Sequence, residues 1–382
     1  MIYMDHAATT PVDAQVATQM LQYLSAQGVF GNASSAHAYG REAAAAVAAA
    51  RGEVAALIGA QPEEIVFTSG ATESDNLALL GIMRSNADRG RHLITARTEH
   101  KAVVDCAQRL EKEGFAVSWL TPDSDGLIAA EQLRAALRPD TQLVSIMHAN
   151  NEIGVVQDIV ALGAICRQRG VLFHSDAAQS LGCLRVDVAN EPIDLLSFTA
   201  HKLYGPKGIA ALYVSNAARA RVAPLLYGGA QERGLRSGTL ATHQIVGFAA
   251  AAHLARERRA PDAWHLLALR ERLQSRLLAL AGTRLNGHRE RRLPGLLNVS
   301  FEGVDGESLL SDLEGELAVS SGSACDSAIQ EPSYVLRAIG RSRNLAQSSL
   351  RFSLGRSTTA ADVEHAAALV ERSVTRLRAV AP

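Results

Sequence analysis

VLFHSDAAQSLGCLRVDVANEPIDLLSFTAHKLYGPKGIAALYV, residues 171–214, contains three short β-rich runs: VLFHSD (171–176), DLLSFTA (194–200) and IAALYV (209–214). Apolar, β-branched and aromatic residues bounded by Gly, Pro, Asn or Asp read as short strands. Asp176 ends the first run, and Lys202 follows the second almost directly. Outward from this stretch, runs of the same kind recur at EIVFTS (64–69), HLITA (92–96), FAVSW (115–119) and QLVSIMH (142–148), so seven strands are predicted. Ala/Leu-rich segments such as Glu73–Met83, Glu131–Leu137 and Ile159–Arg169 lie between them. This alternation predicts an α/β fold, a mostly parallel sheet covered by helices on both faces, with ligands at the carboxyl ends of the strands.

The pattern changes after about residue 245. Ile245–Ala281 reads as a long helix with one break at Ala260-Pro261. LLNVSFEG (296–303), a Ser/Gly-rich loop (320–332), the strand candidate SLRFSLG (349–355) and a closing helix follow, which together predict a smaller α+β domain. The expected division is a large cofactor-binding domain over 12–258 and a small domain made of 1–11 and 259–382. AAAAVAAA (43–50) is read as a helix of high propensity, and no internal repeat is found.

At 382 residues and about 150 residues per domain, two or three domains are allowed. Roughly three quarters of the unfolded surface of such a chain leaves water, enough to enclose a small-molecule site. The net charge of -1 supplies no field for nucleic acid or an acidic membrane, so neither partner is expected. The longest uncharged run, Ser237–Ala255, contains Thr239, Thr242, His243, Gln244 and two glycines, and reads as a buried loop and helix rather than a membrane span. The N-terminus shows no export or transit pattern. The four cysteines, Cys106, Cys166, Cys183 and Cys325, are far apart and lack metal-ligand spacing. No metal is expected, and a cytoplasmic location fits.

The chemistry starts from lysine. Lys101, Lys112, Lys202 and Lys207 are the only four, so an amine nucleophile must come from among them. Lys112 sits in a polar helix end; Lys202 emerges at the strand edge where cofactors bind. Upstream, EIVFTSGATESDNLAL runs strand, glycine-containing turn, helix, and aims free backbone N–H groups at an anion such as phosphate. Thr72 adds a hydroxyl, although Thr72 with Asp75 also matches a plain capping box. Asp176 suits a protonated ring nitrogen, or equally a helix cap. A phosphate cup, a strand-end carboxylate and a strand-end lysine together meet the needs of pyridoxal phosphate.

These residues lie in DHAATTP (5–11), FGNASSAH (30–37), FTSGATESDN (67–76), TEHKAV (98–103), NNEIGVVQDI (150–159), FHSDAAQS (173–180), AHKLYGPKG (200–208), QERGLRSGT (231–239), SSGSACDSAIQEPSYVLRAIG (320–340) and SLRFSLGR (349–356). In this order they closely resemble the cysteine desulfurases of the NifS/IscS type, in the class V aminotransferase group of fold type I pyridoxal-phosphate enzymes. The resemblance implies that Lys202 carries the cofactor as a Schiff base, His100 stacks on its ring, Asp176 pairs with the ring nitrogen, and Asn151 and Gln179 contact the ring-oxygen side. Ala71, Thr72, Thr199 and His201 would hold the phosphate, with Thr239 reaching the phosphate of the partner subunit in a homodimer. Asn32 and Arg351 would hold the substrate carboxylate.

Cys325 distinguishes this reading from a plain aminotransferase, because its small-residue loop offers a thiol room to move between a buried cofactor and an outside acceptor. The implied reaction converts L-cysteine to L-alanine. Lys202 takes the Cα proton, the Cys325 thiolate attacks the substrate sulfur, and the resulting persulfide serves iron–sulfur cluster assembly or thio-modification of tRNA or cofactors. His100 is a further candidate proton acceptor. The sulfur would pass to an acceptor protein, a scaffold or a sulfur carrier. Three positions depart from the family pattern: Ala33 for the usual proline, Ala200 for glycine and Asp326 for threonine. The first two bear on local backbone geometry, and a charge at Asp326 would raise the Cys325 pKa. The chain stops at Pro382, short of the extension by which many housekeeping relatives dock the scaffold, which leaves the acceptor open. Other readings are a related lyase or aminotransferase on the same fold, and a non-catalytic sulfur-carrier or assembly platform.

Overall fold

The structure, a computed structural model, describes residues 1–321 and 332–380. Its strands are β1 (Ile2–Tyr3), β2 (Ile65–Thr68), β3 (His92–Ala96), β4 (Ala116–Leu120), β5 (Thr141–Ser145), β6 (Leu172–Asp176), β7 (Leu195–Thr199), β8 (Ala210–Val214), β9 (Thr283–Leu285), β10 (Leu296–Phe301), β11 (Leu317–Ala318) and β12 (Ser349–Ser353). The seven strands expected from sequence, β2 to β8, form one sheet in the order β2-β8-β7-β6-β5-β3-β4. Neighbours from β4 through β7 are parallel, and β8 runs antiparallel to both β7 and β2.

Both faces of this sheet are covered, which is why its strands read as continuous apolar runs. On one face Leu93, Leu143, Leu172, Leu195 and Leu212 pack with side chains of the helices Ala71–Ser85 and Lys101–Lys112. On the other, Ile94, Val144, Phe173, Leu196 and Phe198 meet the helices Ala38–Ile58 and Ile159–Gln168 and the first half of the helix Thr242–Leu278. Each fully buried Phe or Leu contributes about 1.5–3 kcal/mol by leaving water. Toward the strand carboxyl ends the first face turns polar. Two residues beyond Leu93, Leu143, Leu172 and Leu195 stand Thr95, Ser145, His174 and Ser197, and Asp176 lies two beyond His174.

A second core gathers β10, β12 and the C-terminal half of Thr242–Leu278 with the helices Gly306–Leu313 and Ala360–Val380. β9, β10 and β12 form an antiparallel sheet in the order β12-β10-β9. The N-terminus joins this part of the molecule: β1 pairs with β11, and Met4 is buried in the second core. The break expected at Ala260-Pro261 does not occur, because Thr242–Leu278 is continuous through Pro261. Proline removes one backbone bond to the carbonyl four residues earlier. Here Pro261 and Glu257 are both exposed, so water can take that carbonyl. No helix among the described residues is long and apolar enough to cross a membrane.

Candidate active site

The carboxyl ends of β2, β6 and β7 open into a cavity of about 1260 Å³. Ala71, Thr72, His100, Asn151, Asp176, Gln179, Thr199, His201, Lys202 and Arg351 line it, so ten of the residues singled out from sequence converge on one space. Asn32 and Thr239 do not line it. Both are exposed, and Asn32 spends its side-chain oxygen on the Ser34 N–H at 2.9 Å. Cys325 and Asp326 lie outside the described residues.

Lys202 closes a single 3-10 turn, Ala200–Lys202, directly after β7. Its Nζ donates to the carbonyls of Ala7 and Ala8, which the N-terminal segment brings over from the second core. Gln179 donates to the same Ala7 carbonyl at 2.9 Å. Tyr204 then takes a left-handed conformation, φ 62°, and Gly205 turns so tightly that a β-carbon there would come within 2.9 Å of the Ala200 carbonyl oxygen. Ala200 is fully buried, and neither it nor Ala33 adopts positive φ, so both substitutions are accommodated without a left-handed backbone.

The helix Ala71–Ser85 begins at Gly70 with extended backbone and no side-chain cap. The capping-box alternative is therefore not realised: Thr72 lies inside the first turn, and it is Glu73 that accepts from the Ser69 N–H at 2.7 Å. Glu73 in turn pairs with Arg236, Nε to Oε1 2.8 Å. First-turn N–H groups have no carbonyl within their own helix to bond, so Gly70, Ala71 and Thr72 present donors to the cavity at the positive helix end. Burial pushes the His201 imidazole down to about 4, helped by Lys202 and Lys207, so it is neutral here. Its Nδ1 lies 3.1 Å from the Thr9 hydroxyl.

Asp176 ends β6, is 4% exposed as a residue, and accepts from the Ala178 N–H at 2.8 Å. Burial raises its pKa; His100, that amide and Lys202 work against the rise. His100 is the N-cap of the helix Lys101–Lys112, its Nδ1 accepting from the Ala102 N–H at 3.2 Å, so the ring is fixed and only Nε2 is left for other work. Arg351 gives one arm to the Asn151 carbonyl at 2.9 Å and one to Asp5 at 2.8 Å. Its Nε and the Asn151 Oδ1 are buried without a hydrogen-bond partner. Burial carries a cost for such polar atoms that a ligand can remove. A donor cup at a helix start, a buried carboxylate, a reachable amine and two unsatisfied polar atoms suit a phosphorylated aldehyde with a basic ring nitrogen.

Three other groups at the site, Glu99, Glu152 and Tyr334, went unread in the sequence, and Asp75 was read only as a capping partner of Thr72. Asp75 and Glu99 are fully buried beside Asp176, Glu152 lines the cavity next to Asn151, and Tyr334 donates to the Glu99 carbonyl at 2.6 Å. Glu99 and Glu152 directly adjoin His100 and Asn151, and Asp75 lies four positions after Ala71, on the same helix face. Burial lifts the thiols of Cys106, Cys166 and Cys183 to about 12, so none of the three is a thiolate at neutral pH.

The family model for class-V aminotransferases matches residues 2–365. The chain is 54% identical over 382 residues to a cysteine desulfurase IscS of Histophilus somni, covering 100% of this chain and 94% of that protein. A cysteine desulfurase IscS of Vibrio campbellii is 55% identical with the same coverage. Among solved structures, a NifS-like protein superposes with a TM-score of 0.92 at 37% identity, covering 98% of this chain and all (100%) of that one. A structure described as SspA in complex with cysteine gives 0.83 at 39% identity, with coverages of 94% and 100%.

Proposed function

The chain belongs to the class-V aminotransferase family, and from that membership and its site we infer that it is a pyridoxal-phosphate-dependent cysteine desulfurase, converting L-cysteine to L-alanine and passing the sulfur on. The observation that carries the reading is the meeting of Lys202, Asp176, His100 and the uncapped helix start in one cavity. The relatives named cysteine desulfurase, similar along the whole chain, support the substrate.

Bound pyridoxal phosphate supplies a ring that accepts the electrons left at the substrate Cα. Lys202 is the amine that holds its aldehyde and, once free, the base that takes the Cα proton. Asp176, kept from water, pairs with the ring nitrogen. The first-turn amides, with Ala71, Thr72, Thr199 and His201, hold the phosphate, and Thr239 serves the partner subunit of a homodimer. Asn151 and Gln179 flank the ring oxygen, and His100 covers the ring face. Arg351 holds the substrate carboxylate, joined by Asn32. The Cys325 thiolate attacks the substrate sulfur; the C–S bond breaks, its electron pair passes to carbon, and Cys325 keeps the sulfur as a persulfide for an acceptor protein of iron–sulfur assembly or thio-modification. The large segment 12–258 then carries the cofactor, while 1–11 and 259–382 carry the sulfur-transferring thiol. The three described cysteines, Cys106, Cys166 and Cys183, are free thiols, and the reading places the enzyme in the reducing cytoplasm.

The test separates cofactor binding from sulfur removal. Holoprotein with L-cysteine and dithiothreitol is expected to form alanine and sulfide in equal amounts. Cys325→Ala keeps the cofactor absorbance and its response to L-cysteine but forms neither product. Desulfuration by Cys325→Ala at the parent rate would replace this reading with a lyase or an aminotransferase.

A further inference from the structure

Beneath the cavity lies a carboxyl group to which the reaction above gives no role. Asp75, in the second turn of Ala71–Ser85, is fully buried, and its carboxyl lies within 4.8 Å of ligand atoms of both Asp176 and His100. It faces the polar end of the sheet: His174 Nε2 is 3.6 Å from its Oδ1, and neither carboxyl oxygen has a partner within strict hydrogen-bond geometry, although the Ser197 hydroxyl is close enough to work against the rise of its pKa. His174 is held between the Ser145 hydroxyl at 2.8 Å and the Ser197 hydroxyl at 2.9 Å. A chain of polar side chains thus runs across β5, β6 and β7, from Ser145 through His174 to Ser197, and faces Asp75.

The charges around this pair do not balance. Glu99, from the end of β3, adds a third buried carboxyl, with one oxygen on the Met147 N–H at 2.9 Å and the other unpartnered. His174 is kept neutral, its pKa pushed down to about 3 by burial. Cys106, on the neighbouring helix, is a thiol. Among the described residues the cation facing the cluster is Lys202, which donates to the Ala7 and Ala8 carbonyls, while the His100 ring spends its Nδ1 as an acceptor for the Ala102 N–H. Two carboxylates this close and this dry do not both ionise; one keeps a proton. Asp176 touches the cavity and Asp75 does not.

We propose that Asp75 is a positioning residue that carries the proton of the buried Asp75–Asp176 pair and so confines the negative charge to Asp176. This rests on the cofactor reading, in which Asp176 must be anionic opposite the ring nitrogen. A neutral Asp75 can donate a hydrogen bond into the cluster; an ionised one would share the charge and pull the ring proton away from its productive site. Burial and the neighbouring Asp176 both raise the Asp75 pKa, in keeping with a retained proton.

The experiment is infrared spectroscopy of protein isotope-labelled at aspartate side-chain carboxyls, with and without pyridoxal phosphate, on the parent and on Asp75→Asn. At pH 8 the parent, even stripped of cofactor, is expected to show a label-shifted C=O band of a protonated carboxyl that Asp75→Asn lacks. Because asparagine mimics the neutral acid, Asp75→Asn holoprotein is expected to keep the pH midpoint of the cofactor absorbance and to hold kcat/KM for L-cysteine within about twofold. Absence of the protonated band in the parent overturns the proposal. So does a shift of the absorbance midpoint by about one pH unit in Asp75→Asn, since it would mean a charge had been removed. Failure of the parent to take up pyridoxal phosphate at all would instead strike the cofactor reading, and the infrared result on the stripped protein would still decide where the proton sits.

Discussion

Burial pushes the Glu152 carboxyl up from 4.5 to about 7, against the opposing Ser333 hydroxyl and Arg351 guanidinium. A folded-state pKa above the unfolded value means that the folded protein holds a proton which the unfolded chain gives up between the two. The stability this group contributes is complete below pH 4.5, is lost as pH rises to about 7, and stays lost above that. Glu152→Gln keeps an oxygen for the Ser333 hydroxyl and cannot ionise. Its melting temperature relative to the parent is therefore expected to climb between pH 4.5 and about 7 and then level off. A difference that is flat across this window, or that falls, contradicts the assignment. At this scale Lys202 was legible because lysine is scarce and it stands at a strand end. Glu99 and Glu152 were not, and Asp75 was read only as a capping partner, because nothing in local sequence marks an acid for burial: Asp75 and Glu99 are buried against Asp176, and Glu152 by the approach of Ser333 and Asn298.

Among elements, the turn at residues 230–234 is held by a buried ion pair. Ala230, Glu232 and Arg233 all take positive φ, 55°, 51° and 56°, a conformation that non-glycine residues keep only where their surroundings enforce it. Glu232 supplies that enforcement: it pairs with Arg51 of the helix Ala38–Ile58 at 2.6 Å and accepts the Phe67 N–H of β2 at 2.8 Å, while Arg51 lies over the Phe67 ring. Glu232→Ala leaves the guanidinium buried and unpaired, which should cost about 3–5 kcal/mol. Urea unfolding reads this directly, and a loss below about 1 kcal/mol would show that water replaces the carboxylate. The seven strands of the large sheet were legible, six to within a residue at each end and β5 with an end three residues too late, because burial on both faces leaves an unbroken apolar run. β1, β9 and β11 were not, since two- or three-residue edge strands carry no periodicity and exist through distant partners. Pro261 misled for a related reason: a proline on an exposed helix face bends a prediction more than it bends the helix.

For the whole molecule, the family resemblance predicted that the site is completed across a two-fold axis, and the segment carrying Thr239 bears on this. Thr239 is exposed and outside its own subunit's cavity, while nearby Tyr227 and Leu226 are 82% and 45% exposed, as are Leu21 at 65% and Phe30 at 54%. Apolar side chains left in water at this level suit a self-complementary contact. Sedimentation is expected to give a homodimer, and a monomer with full cofactor occupancy contradicts the shared site. On the proposed reading the labour is divided across the molecule: β6, β7 and the helix Ala71–Ser85 would prepare the cofactor site, and the thiol would come from sequence following β11. Its direct test is a single turnover of holoprotein with sulfur-labelled L-cysteine and no reductant, quenched and mapped by peptide mass. One labelled sulfur per subunit on the Cys325 peptide, matched by one alanine, is the result this account predicts. Alanine without label on Cys325, or label on Cys106, Cys166 or Cys183, would contradict it.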